Sequence, residues 1–287
     1  MKKAIIIFTK VPKVGDIKTR LTTEKGGILT PEEAKDFYEA FLLDVIDACI
    51  ASDSGDVWIC HNHSGDREYL DKLLTGLAHP ASLKGIFKDE GGTFDQCMQY
   101  AADFILKNGS EERLADALLL VGGDLPALQP FYLQEAFDKL ENIAMSPAGL
   151  KASQKCGLSN IYLGAGIVEG SCQEGGFSIV GFTCTTPLDF TGVFYNQDGV
   201  TALDALVQKA IDEQIPFGLI QNVPDVDIPV DMASMVPELK ALSLAARYDK
   251  RIKPAKRTLN LLNEMGIETS TSVPHRDDAG TEQLSTD

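Results

Sequence analysis

Residues 4–21 read Ala4-Ile5-Ile6-Ile7-Phe8-Thr9-Lys10-Val11-Pro12-Lys13-Val14-Gly15-Asp16-Ile17-Lys18-Thr19-Arg20-Leu21, an apolar run that passes directly into a basic loop around one glycine. The run reads as a buried strand, and a cationic loop at the end of such a strand is a natural place to hold phosphates. The rest of the chain has the opposite sign. Lys and Arg number 26 against 42 Asp and Glu, a formal charge of -16. Yet the first twenty residues carry Lys2, Lys3, Lys10, Lys13, Lys18 and Arg20 against the single acid Asp16. An acidic protein that gathers cations in one loop uses them on a small anion rather than on a nucleic-acid backbone. The plainer alternative is a solvated loop whose lysines only aid solubility.

Working outward, the chain alternates strand and helix. Thr30, Pro31 and Glu33 form a capping-box helix start, and Ala34, Phe37, Phe41, Leu42, Val45 and Cys49 then recur at helical spacing. A strand over residues 56–60 leads to a helix near 66–74, a short strand near 84–87 and an amphipathic helix over 93–106. Ala117-Leu118-Leu119-Leu120-Val121 is continuous and apolar, as expected of a central strand buried on both faces. A helix runs from Pro130 to about Leu140, and regularity then weakens, with a strand expected over residues 161–168 and another over 176–182. A helix over 203–211, a short strand over 217–220 and a helix starting near Val230 follow. Residues 238–248 and 256–264 both read as helical and could pack as a pair, while residues 269–287 hold almost no large apolar side chain and should be disordered. Strands alternating with helices imply crossover units and a mainly parallel sheet, in which ligands sit at the carboxyl ends of the strands.

Composition narrows the classes further. With 44% hydrophobic residues and no Pro/Gly/Ser-rich linker, the chain reads as one main domain with a terminal extension. No apolar stretch approaches the roughly 18 residues of a membrane span. The first residues are too short for a signal peptide and lack a small-residue cleavage site, so a cytoplasmic protein is expected. Six cysteines occur without a C-x-x-C pair, which argues against a zinc knuckle or a thioredoxin-type centre.

Three elements could carry chemistry. Lys18-Thr19 invites comparison with the NTPase phosphate loop, but Gly15 lies three residues before the lysine and no glycine adjoins it, so that motif fails. What remains is a looser cradle in which Lys10, Lys18 and Arg20 surround a di- or triphosphate and Gly15 permits a sharp turn. Gly122-Gly123-Asp124-Leu125-Pro126 ends the central strand; Asp124 either holds a hard cation such as Mg2+ or caps the turn. In Asp225-Val226-Asp227-Ile228-Pro229-Val230-Asp231 the first two carboxylates alternate onto one face and can share a cation with Asp124, whereas Asp231 suits a helix cap. His61 and His63 have zinc-compatible spacing but no evident third ligand, and read as ordinary surface histidines.

Phe8-Thr9-Lys10-x-Pro12-x-x-Gly15-x-x-Lys18-Thr19-Arg20-Leu21, Gly122-Gly123-Asp124-Leu125-Pro126, Gly175-Gly176-Phe177-Ser178-Ile179-Val180-Gly181 and Asp225-Val226-Asp227-x-Pro229-x-Asp231 resemble, in this order, the motifs of bacterial glycosyltransferase-like proteins. That group looks like part of the GT-A, nucleotide-diphospho-sugar transferase superfamily and is similar to the phospholactate and molybdopterin guanylyltransferases. The resemblance spans about residues 3–240, and Arg257-Thr258-Leu259 resembles the family's terminal extension.

It implies a three-layer α/β/α sandwich over residues 1–240, a helical extension over 241–268 and a tail over 269–287. It also implies a nucleotide near Phe8, Lys10, Pro12, Gly15, Lys18, Arg20 and Gly123, and Mg2+ or Mn2+ at Asp124, Asp225 and Asp227. The implied activity is transfer of a glycosyl or nucleotidyl group from a nucleotide sugar or nucleoside triphosphate to a small-molecule acceptor, with Lys18, Arg20 and Glu174 as catalytic residues. No nucleic-acid partner is expected; a homodimer is compatible. The family pattern runs from a Gly-Pro-Ala-like segment almost directly into Asp-Gly-Gly-Tyr. Here an inserted stretch separates Ser146-Pro147-Ala148 from Glu174-Gly175-Gly176-Phe177, which implies an altered acceptor pocket. The alternative is an inactive nucleotide-binding regulatory or scaffold protein with the same fold.

Overall fold

The structure, a computed structural model, describes residues 1–158 and 162–267. Its elements in chain order are β1 Lys3–Thr9, α1 Pro31–Ala51, β2 Asp56–His61, α2 Arg67–Leu74, β3 Leu83–Lys88, α3 Phe94–Leu106 and β4 Ala117–Gly122, followed by α4 Pro130–Ala144 and α5 Pro147–Ser153. The second half adds β5 Ile167–Ser171, β6 Phe177–Thr183, α6 Ala202–Asp212, β7 Phe217–Leu219, α7 Pro229–Ala245 and α8 Lys256–Glu264. The seven strands form one sheet in the order β3-β2-β1-β4-β6-β5-β7. All pairings are parallel except those of β6, which runs antiparallel to both β4 and β5.

Burial on both faces explains why the central strands read as continuous apolar runs. Along β1, Ile5 and Ile7 pack with α1, α4 and α7 on one face, while Ala4 and Ile6 pack with α3 and α6 on the other. The result is the three-layer α/β/α sandwich. Helix α1 starts where the capping box places it: Glu33 N–H donates to Thr30 Oγ1 at 3.1 Å and Thr30 N–H donates to Glu33 Oε2 at 2.7 Å.

Two stretches differ from the sequence expectation. The strand expected over 161–168 is β5, shifted to Ile167–Ser171; residues 162–166 are not strand, and Ile161 lies outside the described residues. Tyr162 is exposed, while the rest of the segment is buried and its glycines pass close to α4: a Cβ on Gly164 would sit 1.7 Å from Ala144 O, and one on Gly166 would sit 3.0 Å from Ile143 Cγ1. The segment therefore needs glycine to cross the end of α4.

The helix starting near Val230 and the one expected over 238–248 are a single helix, α7, which passes residue 240 without a break. Rather than forming a pair with α7, α8 docks on α1. The Asp44 carboxylate accepts hydrogen bonds from Thr258 N–H and Thr258 Oγ1, both at 2.9 Å, and from Arg257 Nη1 at 3.0 Å. Arg257 also reaches Asp47 at 2.9 Å. Residues 269–287, expected to be a disordered tail, lie outside the described residues. Among the described residues no helix is long and apolar enough to cross a membrane.

Candidate active site

The carboxyl ends of β1, β2 and β4 and the beginning of β6 surround a cavity of about 560 Å³. The chain leaves β1 at Thr9, whose hydroxyl is 2.6 Å from the Tyr38 hydroxyl on α1. Val11 N–H donates to Asn62 Oδ1 at 2.8 Å, pinning the basic loop to the end of β2. The turn after β4 has to pass close beneath this point: a Cβ on Gly123 would lie 3.0 Å from Tyr38 Oη and 3.1 Å from Thr9 Oγ1. Glycine thus lets the backbone bring Asp124 under the loop.

At the centre is Lys18. It adopts the left-handed conformation with φ 48° and opens the short helical turn Thr19–Leu21. Its side chain is only 4% exposed, and Nζ donates to Asp124 Oδ2 and to Asp227 Oδ1, both at 2.6 Å. Burial alone would lower the Lys18 ammonium, but Asp124 and Asp227 outweigh it and hold the group charged. Arg20 Nη1 stands 3.9 Å from Asp227 Oδ2.

The Asp225 carboxyl is pushed up to about 6, first by burial and then by the like charges of Asp124 and Asp227, against the opposing pull of Lys18. In contrast, Lys18 and then Arg20 overcome burial and hold Asp227 below the usual carboxylate range. Two carboxylates therefore clamp one buried ammonium, with the charge of Asp225 nearby.

Phe8, Lys10, Lys18, Arg20, Gly123, Asp124, Asp225 and Asp227 all line this cavity, so the sequence-predicted constellation is brought together. The alternation expected of Asp225 and Asp227 holds. Asp231 acts as the local cap: its carboxylate accepts from the N–H groups of Asp227 and Ile228, both at 2.9 Å, which fixes the Asp225–Asp227 segment.

Three predicted residues stand apart from the cavity lining. Gly15, at φ 77° with open space where a Cβ would be, serves the sharp turn. Pro12 is buried beneath the loop. Glu174 sits exposed at φ 59° in the turn Gln173–Gly175 and is not part of the cavity lining, to which Phe177 and Ser178 contribute instead.

Other residues were missed. Tyr38 lies one position beside the stripe of Phe37 and Phe41, and burial, then Asp124, pushes its hydroxyl up to about 12. Cys172 carries a thiol raised by burial and then by Asp225 and Asp124. His61, expected at the surface, is buried because β2 lies between β1 and β3, and its Nδ1 is 3.0 Å from Asn62 O. His63 alone of that pair is exposed and lines the cavity, together with Asp89 and Cys97. On β5, Glu169 is fully buried with neither carboxylate oxygen hydrogen-bonded among the described residues, and burial pushes it up to about 7.

A solved structure of a protein described as a candidate nucleotide-diphospho-sugar transferase from Desulfovibrio desulfuricans G20 superposes with a TM-score of 0.67 at 20% identity, covering 93% of this chain and 96% of that one. A cytidylyltransferase from Leptospira borgpetersenii gives 0.47 at 12% identity, with coverage of 96% and 100%. CMP:2-keto-3-deoxy-manno-octonic acid synthetase, solved with CTP, gives 0.45 at 12% identity, with coverage of 85% and 100%. The fold is that of the nucleotide-diphospho-sugar transferases, GT-A-like. No curated protein matches the chain. A family model, "Uncharacterized protein conserved in bacteria (DUF2064)", matches residues 45–197.

Proposed function

The chain belongs to the DUF2064 family of bacterial proteins, and from that premise we propose that it is a metal-dependent transferase. In this reading it binds a nucleotide sugar or nucleoside triphosphate and moves a glycosyl or nucleotidyl group to a small acceptor. The observation that carries the reading is the buried Lys18 ammonium bridging Asp124 and Asp227 beneath a basic loop at the ends of parallel strands.

The donor set fits a divalent cation. Asp124, Asp225 and Asp227 supply only hard carboxylate oxygens, and Asp225 is pushed up first by burial and then by the charges of the other two, so a cation among them would be favoured. Those three residues would hold Mg2+ or Mn2+, which when bound neutralises charge on the diphosphate. The chain's own part is positional and electrostatic. Lys10 and Arg20 present cations at the cavity mouth, Lys18 holds the two carboxylates in register, and Tyr38 keeps its proton and braces Thr9 at the foot of the loop. Preorganised charge of this kind acts where leaving-group charge develops.

Thermal unfolding with nucleoside triphosphates and nucleotide sugars, with and without Mg2+, tests the reading. A metal-dependent rise with at least one nucleotide, abolished in Asp124→Ala, is expected; no rise with any of them would sink it. The position of Glu174 outside the cavity favours a second reading, a nucleotide-binding regulator without turnover. The two separate on whether Mg2+ and an acceptor together release diphosphate or nucleotide.

A further inference from the structure

The cavity has a second cluster whose chemistry differs from that of the carboxylates around Lys18. His63 lies two residues beyond β2, Asp89 directly follows β3, and Cys97 lies in the first turn of α3. One ligand atom from each, a ring nitrogen of His63, a carboxylate oxygen of Asp89 and Cys97 Sγ, lies within 4.8 Å of the other two. The His63 Nδ1 to Asp89 Oδ1 distance is 3.0 Å. We propose that His63, Asp89 and Cys97 form a binding site for a thiophilic divalent cation, zinc by its donor set, on the wall of the same cavity.

The framework for such a site is already built. Asp89 is 5% exposed, and its N–H donates to His61 O at 2.7 Å. Its carboxylate in turn accepts from the backbone N–H of His63 at 2.7 Å, so two of the three ligands are mutually fixed. Among the described residues no lysine or arginine pairs with Asp89; its ion-pair partner is His63.

Tetrahedral zinc with Zn–N and Zn–O near 2.0–2.1 Å and Zn–S near 2.3 Å sets its ligand atoms about 3.3–3.6 Å apart. The observed spacings reach that range through shifts of about an ångström. Nitrogen and sulfur donors exclude Mg2+, which demands oxygen, and select zinc or a similar ion. Three protein ligands leave a fourth position, and all three residues line the cavity, so that position is available to water or to a heteroatom of the acceptor. On binding, the Cys97 thiol gives up its proton to solvent and His63 binds as the neutral imidazole.

The full-length protein, stripped with a chelator and titrated with Zn2+, should retain one zinc per chain after gel filtration. With Co2+ in place of Zn2+, a thiolate-to-cobalt charge-transfer band should appear in the near ultraviolet. Cys97→Ser should abolish the band, and both Cys97→Ser and His63→Ala should weaken zinc by more than the roughly 10–100-fold that loss of a supporting partner costs. His63 is exposed, so its removal leaves the fold intact, which circular dichroism checks. Asp124→Ala should keep the zinc, separating this site from the carboxylate cluster. No retained zinc in the wild type, unchanged affinity in both variants, or a cobalt band that survives Cys97→Ser would each overturn the assignment.

Discussion

Replacing Glu169 with glutamine should stabilise the protein at pH 8 and leave it nearly unchanged at pH 4.5. Glu169 is fully buried, neither oxygen has a partner among the described residues, and burial pushes its carboxyl from an ordinary 4.5 up to about 7. In the unfolded chain it ionises near 4.5, whereas in the folded state it keeps its proton until about 7. Between those values the folded state binds the extra proton, so stability falls as pH rises, and above 7 the loss is complete. At about 1.4 kcal/mol per pH unit the penalty reaches about 3 kcal/mol.

Glutamine has nearly the same shape and no charge, so it escapes the penalty. At about 2–4 °C per kcal/mol, the unfolding midpoint at pH 8 should rise by about 6–12 °C. Asp225 titrates in the same window, so the informative quantity is the difference between variant and wild type at each pH. Midpoints measured in steps from pH 4.5 to 8 should diverge steadily up to about pH 7 and then run parallel. A constant difference across that range would refute the argument, because a pH-independent gain would come from packing rather than from a buried acid.

Two further outcomes follow from the same electrostatics and packing. Lys18→Met strips Asp124 and Asp227 of their shared cation; with Asp227 45% exposed, the expected loss is about 1–3 kcal/mol, below the range for fully buried pairs. Millimolar Mg2+ should restore part of it, and a variant as stable as wild type in chelator would contradict the role given to Lys18. Asp44→Ala leaves the Thr258 hydroxyl and amide without their acceptor, while the Arg257 guanidinium keeps Asp47 and the Gly76 carbonyl. The expected cost is about 2–4 kcal/mol, with faster amide hydrogen exchange in α8; unchanged exchange there would show that apolar contacts alone hold the helix.

Much of this architecture is legible in the chain because local rules and the final packing agree. Thr30 and Glu33 specify a helix start with their own side chains, and the unbroken apolarity of β1 and β4 follows from burial on both faces. The basic-loop residues and Asp124 are legible for a related reason, since each follows a strand that announces itself, whereas Asp225 and Asp227 are legible from their own alternation ahead of α7.

Contacts between distant segments leave weaker traces. Nothing in the spacing of His63, Asp89 and Cys97 reveals that they meet, because parallel pairing of β2 with β3 and the start of α3 bring them together. Glu169 looks like an ordinary polar position, and only the sheet order places it between β6 and β7. Residues 163–166 mislead because they are buried beside α4 without being strand. Glu174 departs from the family's Asp at that position, and in the structure it is exposed, at φ 59°, and not part of the cavity lining.

The reversed direction of β6 has a consequence for how this cavity can diversify. Phe177 and Ser178 enter the pocket from the start of a strand, downstream of an exposed turn, whereas the cationic loop and Asp124 enter from strand ends, and Asp225 and Asp227 from the segment that precedes α7. One side of the pocket can thus accept insertions and exchanged residues upstream of β6 without disturbing the residues that reach it from the opposite side.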